Sequence, residues 1–216
     1  DGIVRPQELE EAITRTVVGP EKKSRVVTDE DKKVTAYHEA GHAIATYYCK
    51  SQDPVHQISI IPRGMAGGYT MHLPTEDRSY KSRNEMKEEL VVLLGGRVAE
   101  AIVFGDISTG ASNDIEQATK LARAMLTRYG MSDEFDMVAL ETVNNQYLGG
   151  DTSLACSAQT QCEIDQKVVE LVKAQHAKAV QILTDNRAKL DELAQYLYQK
   201  ETITGDEFME ILNREE

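Results

Sequence analysis

Residues 28–50 read TDEDKKVTAYHEAGHAIATYYCK, a stretch with the signs of a helix that carries chemistry on one face. Thr28 followed three residues later by Asp31 resembles a capping box, with Asp in place of the preferred Glu. The spacing predicts a helix from about residue 29 to about Lys50, and Asp29, Glu30 and Asp31 suit the positive end of its dipole. His38 and His42 lie four apart, so at about 3.6 residues per turn both imidazoles leave the same face, one above the other. Two such nitrogens can each reach one tetrahedral zinc ion at roughly 2.0–2.1 Å. Glu39 is displaced around the helix, where its carboxylate can take a proton from a water and later pass it to a leaving amine. Gly41, flanked by Ala40 and Ala43, lets another backbone or a substrate come close. A surface helix with two chance histidines is the competing reading; five histidines in the whole chain and a capped helix speak against it.

Working outward, a helix is expected over residues 5–16, with Leu9, Ala12 and Ile13 on one face and Pro6 in its first turn. A break or linker follows over 18–24. Beyond the histidine helix, residues 55–61 (VHQISII) alternate and are rich in β-branched side chains. With turn residues at Pro62-Arg63-Gly64 and Gly67-Gly68, and a return over Tyr69–Leu73, they read as two strands of a hairpin. A helical pattern runs from Ser82 to about Phe104, and the Gly95-Gly96 pair inside it points to close packing against a neighbour, since glycine weakens a helix. After a polar loop at Ser108–Ser112, a helix is expected over about 113–129. An irregular stretch over 132–160 follows, with a mobile turn at Gly149-Gly150. Helices over about 161–185, 187–200 and 204–213 close the chain. The fold class is mostly α with a small β-sheet or hairpin, a helical zinc-peptidase domain ending in a C-terminal helical bundle.

Composition narrows the function. The chain has 216 residues, 41% hydrophobic and 28% charged, enough to bury a core without a structural metal, so a metal here is expected to be catalytic. A formal charge of −12 disfavours nucleic acid and anionic membrane surfaces as partners of the body of the domain. The three cysteines, Cys49, Cys156 and Cys162, form no C-x-x-C pair and suit a reducing compartment. No apolar run in this sequence approaches a membrane span.

Two histidines leave a catalytic zinc one protein ligand short. The metzincin extension would require Gly at 45 and His at 48, where the chain has Ala45 and Tyr48. His56 and His72 sit in strand-like segments and His176 on a Gln/Lys-rich helix face, so all three read as surface or structural residues. Attention passes to carboxylates: Asp114 at the start of a helix, Glu100 on the Gly95-Gly96 helix and Asp106 in the turn after it. Asp in a first helical turn is also common for capping reasons alone. Chemistry rates Asp114 and Glu100 nearly equal, and spacing does not separate them.

Five blocks together resemble the peptidase domain of the FtsH-type ATP-dependent zinc metalloproteases. They are Thr35–Ala43 (TAYHEAGHA), Ile60–Gly64 (IIPRG), Gly68–Thr70 (GYT), Gly95–Glu100 (GGRVAE) and Ser108–Asp114 (STGASND). Ala101 departs from the common pattern, as do the Gly105-Asp106 turn and the stretch Leu154–Cys162. The resemblance implies zinc ligands at His38, His42 and Asp114, a catalytic base at Glu39, and Glu100 behind them orienting a histidine. It also implies that residues 1–24 are the end of an ATPase module's helical lid with a linker, and that 25–216 are the zinc peptidase domain. The full-length protein would then be a homohexamer with an AAA ATPase module in cis that uses ATP and Mg2+, anchored in the cell membrane with the peptidase facing the cytoplasm, or in an organellar membrane. Its substrates would be unfolded, damaged or short-lived polypeptides. Gly67, Gly68, Tyr69 and Thr70 are expected to form an edge that pairs with extended substrate, against the alternative of a plain hairpin turn. Two rival functions remain: a free-standing, ATP-independent zinc peptidase, and a metal-stabilised hexamerisation module.

Overall fold

A computed structural model describes residues 4–22, 26–144 and 151–214. The first helix, α1 (Pro6–Val17), ends where Val18-Gly19-Pro20 breaks the pattern. Among the described residues its apolar stripe is left exposed, Leu9 by 56% and Ile13 by 45%. A two-pronged contact holds it to the rest, with Arg63 donating from Nη1 and Nη2 to the two carboxylate oxygens of Glu11, each at 2.9 Å. The linker is also tied down, because Lys22 N donates to Pro62 O and Gly64 N to Pro20 O. The expected end of the linker at residue 24 lies outside the described residues.

Helix α2 (Asp29–Tyr48) starts as the sequence indicates, with the Thr28 hydroxyl accepting from Asp31 N at 3.1 Å. Asp31 does not reach back to complete the box. Almost every residue from Ala36 to Thr46 is buried, so this half of α2 is surrounded by protein. The chain then forms β1 (Val55–Ser59) and β2 (Tyr69–His72), antiparallel, with Ile58 opposite Thr70 and Ser59 opposite Tyr69. Helix α3 (Arg83–Phe104) carries a full capping box, Ser82 with Glu85, and stops at Gly105 in the left-handed conformation (φ 67°). Its central pair explains itself in space. A Cβ on Gly41 would lie 2.5 Å from the Gly95 carbonyl oxygen, and one on Gly95 would lie 2.8 Å from the Gly41 oxygen. The two helices therefore meet backbone to backbone, which only glycine on both sides allows.

Helix α4 (Ser112–Thr127) follows, packed on α3 through Ala118, Ala122 and Met125. The structure departs from the sequence expectations at three points. Within the stretch read as irregular, β3 (Glu141–Asn144) and β4 (Asp151–Leu154) pair antiparallel; the turn expected at Gly149-Gly150 lies outside the described residues. The long helix α5 (Ala158–Asp185) begins three residues earlier than expected, because Ser157 caps it by accepting from Thr160 N. After α6 (Arg187–Lys200), the short strand β5 (Thr202–Thr204) adds to β1, making a three-stranded sheet in the order β2-β1-β5 rather than a lone hairpin. The Ser59 and Thr202 hydroxyls bond across that pairing at 2.7 Å, and Ile203 is buried beneath it. Helix α7 (Gly205–Asn213) closes the chain and sets Phe208 and Ile211 into the core. Among the described residues no helix is long and apolar enough to cross a membrane.

Candidate metal centre

The site forms where α2, α3, the start of α4 and β2 meet. His42 is 8% exposed, and its Nδ1 donates to the Val92 carbonyl on α3 at 2.8 Å. That bond puts the proton on Nδ1 and turns the Nε2 lone pair into the site. His38 is treated the same way by another partner: its Nδ1 lies 2.6 Å from Glu100 Oε1, again leaving Nε2 to face inward. Glu100 is itself held, since its Oε2 accepts from Ser108 N at 2.8 Å. With both oxygens engaged behind His38, Glu100 is turned to the far side of the imidazole from the converging atoms.

Asp114 occupies the near side. Its Oδ2 lies 3.2 Å from His38 Nε2 and 3.5 Å from His42 Nε2, and the two Nε2 atoms are 3.0 Å apart. Ligands at roughly 2.0–2.1 Å from a tetrahedral zinc stand about 3.3 Å from one another. The three separations bracket that value, so the donor set fits a zinc ion both in chemistry and in spacing. Asp106, the third carboxylate of the sequence reading, is not in this group, which consists of His38, His42 and Asp114.

Electrostatics point the same way. Burial works against a charged His38, but hydrogen bonds to Asp114 and Glu100 outweigh it and push its pKa up to about 10. Burial likewise opposes ionisation of Asp114, yet the bonds from His38 and His42 hold its carboxyl well below the usual range. Glu100 is also lowered: its burial is overcome by His38 and Ser108. Without a metal these acceptors hold a proton on His38; a cation that displaces it would meet two imidazole nitrogens and a carboxylate in a partly buried space.

Gly96 makes room for the imidazoles. A Cβ there would lie 2.5 Å from His38 Nε2 and 2.6 Å from His42 Nε2. Close packing at Gly95-Gly96 is legible in the sequence, but its partners on α2, the Gly41 backbone for one glycine and two imidazoles for the other, are contributed by the fold. Val92 O and Ser108 N are backbone groups with no sequence signal. Arg97, whose Nη2 donates to Ser108 O at 2.7 Å, braces the loop that leads to Asp114.

Glu39 is 6% exposed and accepts from the Thr70 hydroxyl at 2.8 Å through Oε2. Of the four residues read as a substrate edge, Tyr69 donates from its hydroxyl to Gln57 Oε1, and Gly68 packs so closely that a Cβ would meet Ser59 O at 2.7 Å and Glu39 Cγ at 3.1 Å. Gly67 is looser: a Cβ there would meet only the Thr35 hydroxyl, at 3.8 Å. His72, read as a surface or structural histidine, is structural: it is half-buried and its Nε2 lies 2.9 Å from the Thr46 hydroxyl. A cavity of about 280 Å³ between α2 and α6, lined by Lys33, Tyr37 and Tyr198 among others, contains none of the converging groups.

A histidine pair one turn apart on a buried helix, a glutamate between them and a carboxylate from a neighbouring helix define the HExxH class of metallopeptidases. The chain belongs to peptidase family M41, whose sequence pattern matches residues 25–211. An ATP-dependent zinc metalloprotease FtsH of Clostridium perfringens is 48% identical over 207 residues, covering 95% of this chain and 29% of that protein. The protein of the same name in Caldicellulosiruptor bescii is 47% identical over 212 residues, covering 97% of this chain and 34% of its own length. A Thermoanaerobacter FtsH 1 shows the same 47% identity and covers 35% of its own length. The chain thus spans about a third of the length of the curated relatives it matches.

Proposed function

We propose that this chain is the zinc-dependent endopeptidase domain of a membrane-anchored, ATP-dependent protease that degrades unfolded, damaged or short-lived proteins. The observation that carries the reading is the convergence of His38 Nε2, His42 Nε2 and Asp114 Oδ2 at 3.0–3.5 Å from one another beside the buried Glu39. His38, His42 and Asp114 would hold the zinc, and Glu100 would fix the His38 ring and its tautomer from behind. Zinc in that position supplies Lewis acidity, polarising a peptide carbonyl and making water easier to deprotonate. Glu39 takes the proton from a water as the water oxygen bonds to the carbonyl carbon, then delivers it to the amide nitrogen as the C–N bond breaks.

Strand β2 supports a substrate role. Within its sheet it is an edge strand, so main-chain groups of Tyr69 and Thr70, with Gly67 and Gly68 leading into them, can pair with an extended polypeptide next to Glu39. Recognition through main-chain bonds is nearly blind to sequence, which suits degradation of many substrates. Residues 1–24 are proposed as the end of an upstream ATPase lid with its linker, and 25–216 as the peptidase domain. The exposed apolar face of α1 is consistent with a neighbour there. The relatives' names support ATP dependence; the homohexamer, the membrane anchor and the cytoplasmic-facing peptidase come from the family resemblance.

The test is Glu39→Gln in the full-length enzyme. It should keep its zinc and lose cleavage of unfolded protein by at least about 100-fold, in line with loss of a general base. Cleavage at the normal rate would remove Glu39 as the base.

A further inference from the structure

The Thr70 side chain turns inward, away from a substrate edge, and its target is the carboxylate of Glu39. We propose that Thr70 is a positioning residue for this base, a reading that rests on the peptidase function proposed above. Its hydroxyl donates to Glu39 Oε2 at 2.8 Å and lies 3.2 Å from the Glu39 carbonyl oxygen. Among the described residues it is the one hydrogen-bond donor to that carboxylate, which is otherwise buried against protein. A buried carboxylate without a donor is costly and free to turn.

The geometry divides the work between the two oxygens. Oε2 is engaged by Thr70, so Oε1 is the oxygen that meets no donor among the described residues and takes the proton from water. Once Glu39 carries that proton, the Thr70 hydroxyl still has two acceptors, Oε2 and the Glu39 carbonyl oxygen. It therefore keeps an acceptor in both protonation states. Gly68 packs on the stem of Glu39, where a Cβ would come within 3.1 Å of Cγ. Gly68, just ahead of β2, and Thr70 within it thus hold the stem and the head of the base. The strand that can pair with substrate is the strand that aims the base.

The experiment compares Thr70→Val, Thr70→Ser and Thr70→Ala in the zinc-loaded full-length enzyme, with an unfolded polypeptide as substrate. Val keeps the size and suits a strand but removes the donor, Ser keeps the donor, and Ala repeats the loss without the added methyl. Expected are full zinc content in all three and a kcat about 10–100-fold lower in Val and Ala with KM unchanged. Ser should be restored to within about twofold, as for loss and rescue of an orienting hydrogen bond. Crystal structures should show Glu39 in one orientation with Thr or Ser at position 70 and in more than one with Val. A raised KM at constant kcat would make Thr70 a substrate contact and overturn the proposal. So would equal losses in Ser and Val, or zinc lost from Val and Ala. Glu39→Gln separates the two failures: if it is active, the peptidase role of Glu39 falls; if it is inactive while Val and Ala are normal, only the role of Thr70 falls.

Discussion

Gly96→Ala places one methyl group between the two histidines and tests whether their spacing is what binds metal. The new Cβ would stand 2.5 Å from His38 Nε2, 2.6 Å from His38 Cε1 and 2.6 Å from His42 Nε2. Ordinary contact for such atoms is about 3.5 Å, so the rings would have to retreat by about 1 Å. They are poorly placed to do so, since Glu100 pins His38 at 2.6 Å and Val92 O pins His42 at 2.8 Å. Zinc tolerates deviations of about 0.2 Å in its bonds, a fifth of the displacement required. Loss of an orienting partner alone costs about 10–100-fold in metal affinity, so displaced ligands should cost at least about 100-fold, or roughly 2.7 kcal/mol. The metal-free fold should survive, because overpacking of about 1–3 kcal/mol is partly offset by about 1 kcal/mol of helix propensity gained in α3. Competition with a chromophoric zinc chelator measures the affinity, and circular dichroism of the metal-free protein checks the fold. Wild-type zinc affinity in a folded Gly96→Ala protein would refute the reasoning.

Other consequences follow from the same packing and charges. Gly41→Ala drives a Cβ to 2.5 Å from a backbone oxygen and 2.7 Å from Ala99 Cβ, neither able to swing away. Overpacking of about 3 kcal/mol less about 1 kcal/mol of helix propensity leaves roughly 2 kcal/mol, and a thermal midpoint lower by about 4–8 °C; an unchanged midpoint would contradict the close approach of α2 and α3. With His38 pushed up to about 10 in the metal-free site, zinc must displace its proton. Zinc affinity should therefore tighten by about tenfold per pH unit between pH 7 and 10, and titration calorimetry in buffers of differing ionisation heat should find about one proton released per zinc. Proton-free binding would contradict the arrangement of His38 between Glu100 and Asp114. Burial, then the nearby charge of Glu88, pushes the Cys49 thiol up to about 12, while Cys162 is exposed. Iodoacetamide at neutral pH should label Cys162 and spare Cys49 until the protein is denatured, as peptide mapping would show.

Local signals in the sequence matched the structure where the interaction is local. Thr28, Ser82 and Gly105 mark helix ends because their caps are made by residues within a few positions. The pair His38 and His42 is legible because one helical turn joins them. Ser157 with Thr160 is a cap of the same kind, and it was a usable signal for the true start of α5. The strands β3 and β4 escaped because ETVN and DTSL are short and polar, with no apolar alternation to declare them. β5 is a strand only because β1 lies beside it, with Ile203 buried against the core.

The site divides in the same manner. Asp114 stands 76 residues from His38 and Glu100 stands 62 away, so no spacing rule could rank them, and the family resemblance supplied the choice. In space the two carboxylates take opposite sides of one imidazole. Thr70 was visible as part of an edge strand, but the inward turn of its hydroxyl onto Glu39 depends on how β2 packs across α2.

The central claim is that zinc sits among His38, His42 and Asp114 with Glu100 behind it. A crystal structure of the zinc-loaded protein, with an anomalous map at the zinc edge, tests it directly. The account predicts one peak per chain, bonded to both Nε2 atoms at about 2.0–2.1 Å and to an Asp114 oxygen at about 2.0–2.2 Å, with Glu100 still on His38 Nδ1. A peak bonded to Glu100 in place of Asp114, or no zinc between the two histidines, would contradict it.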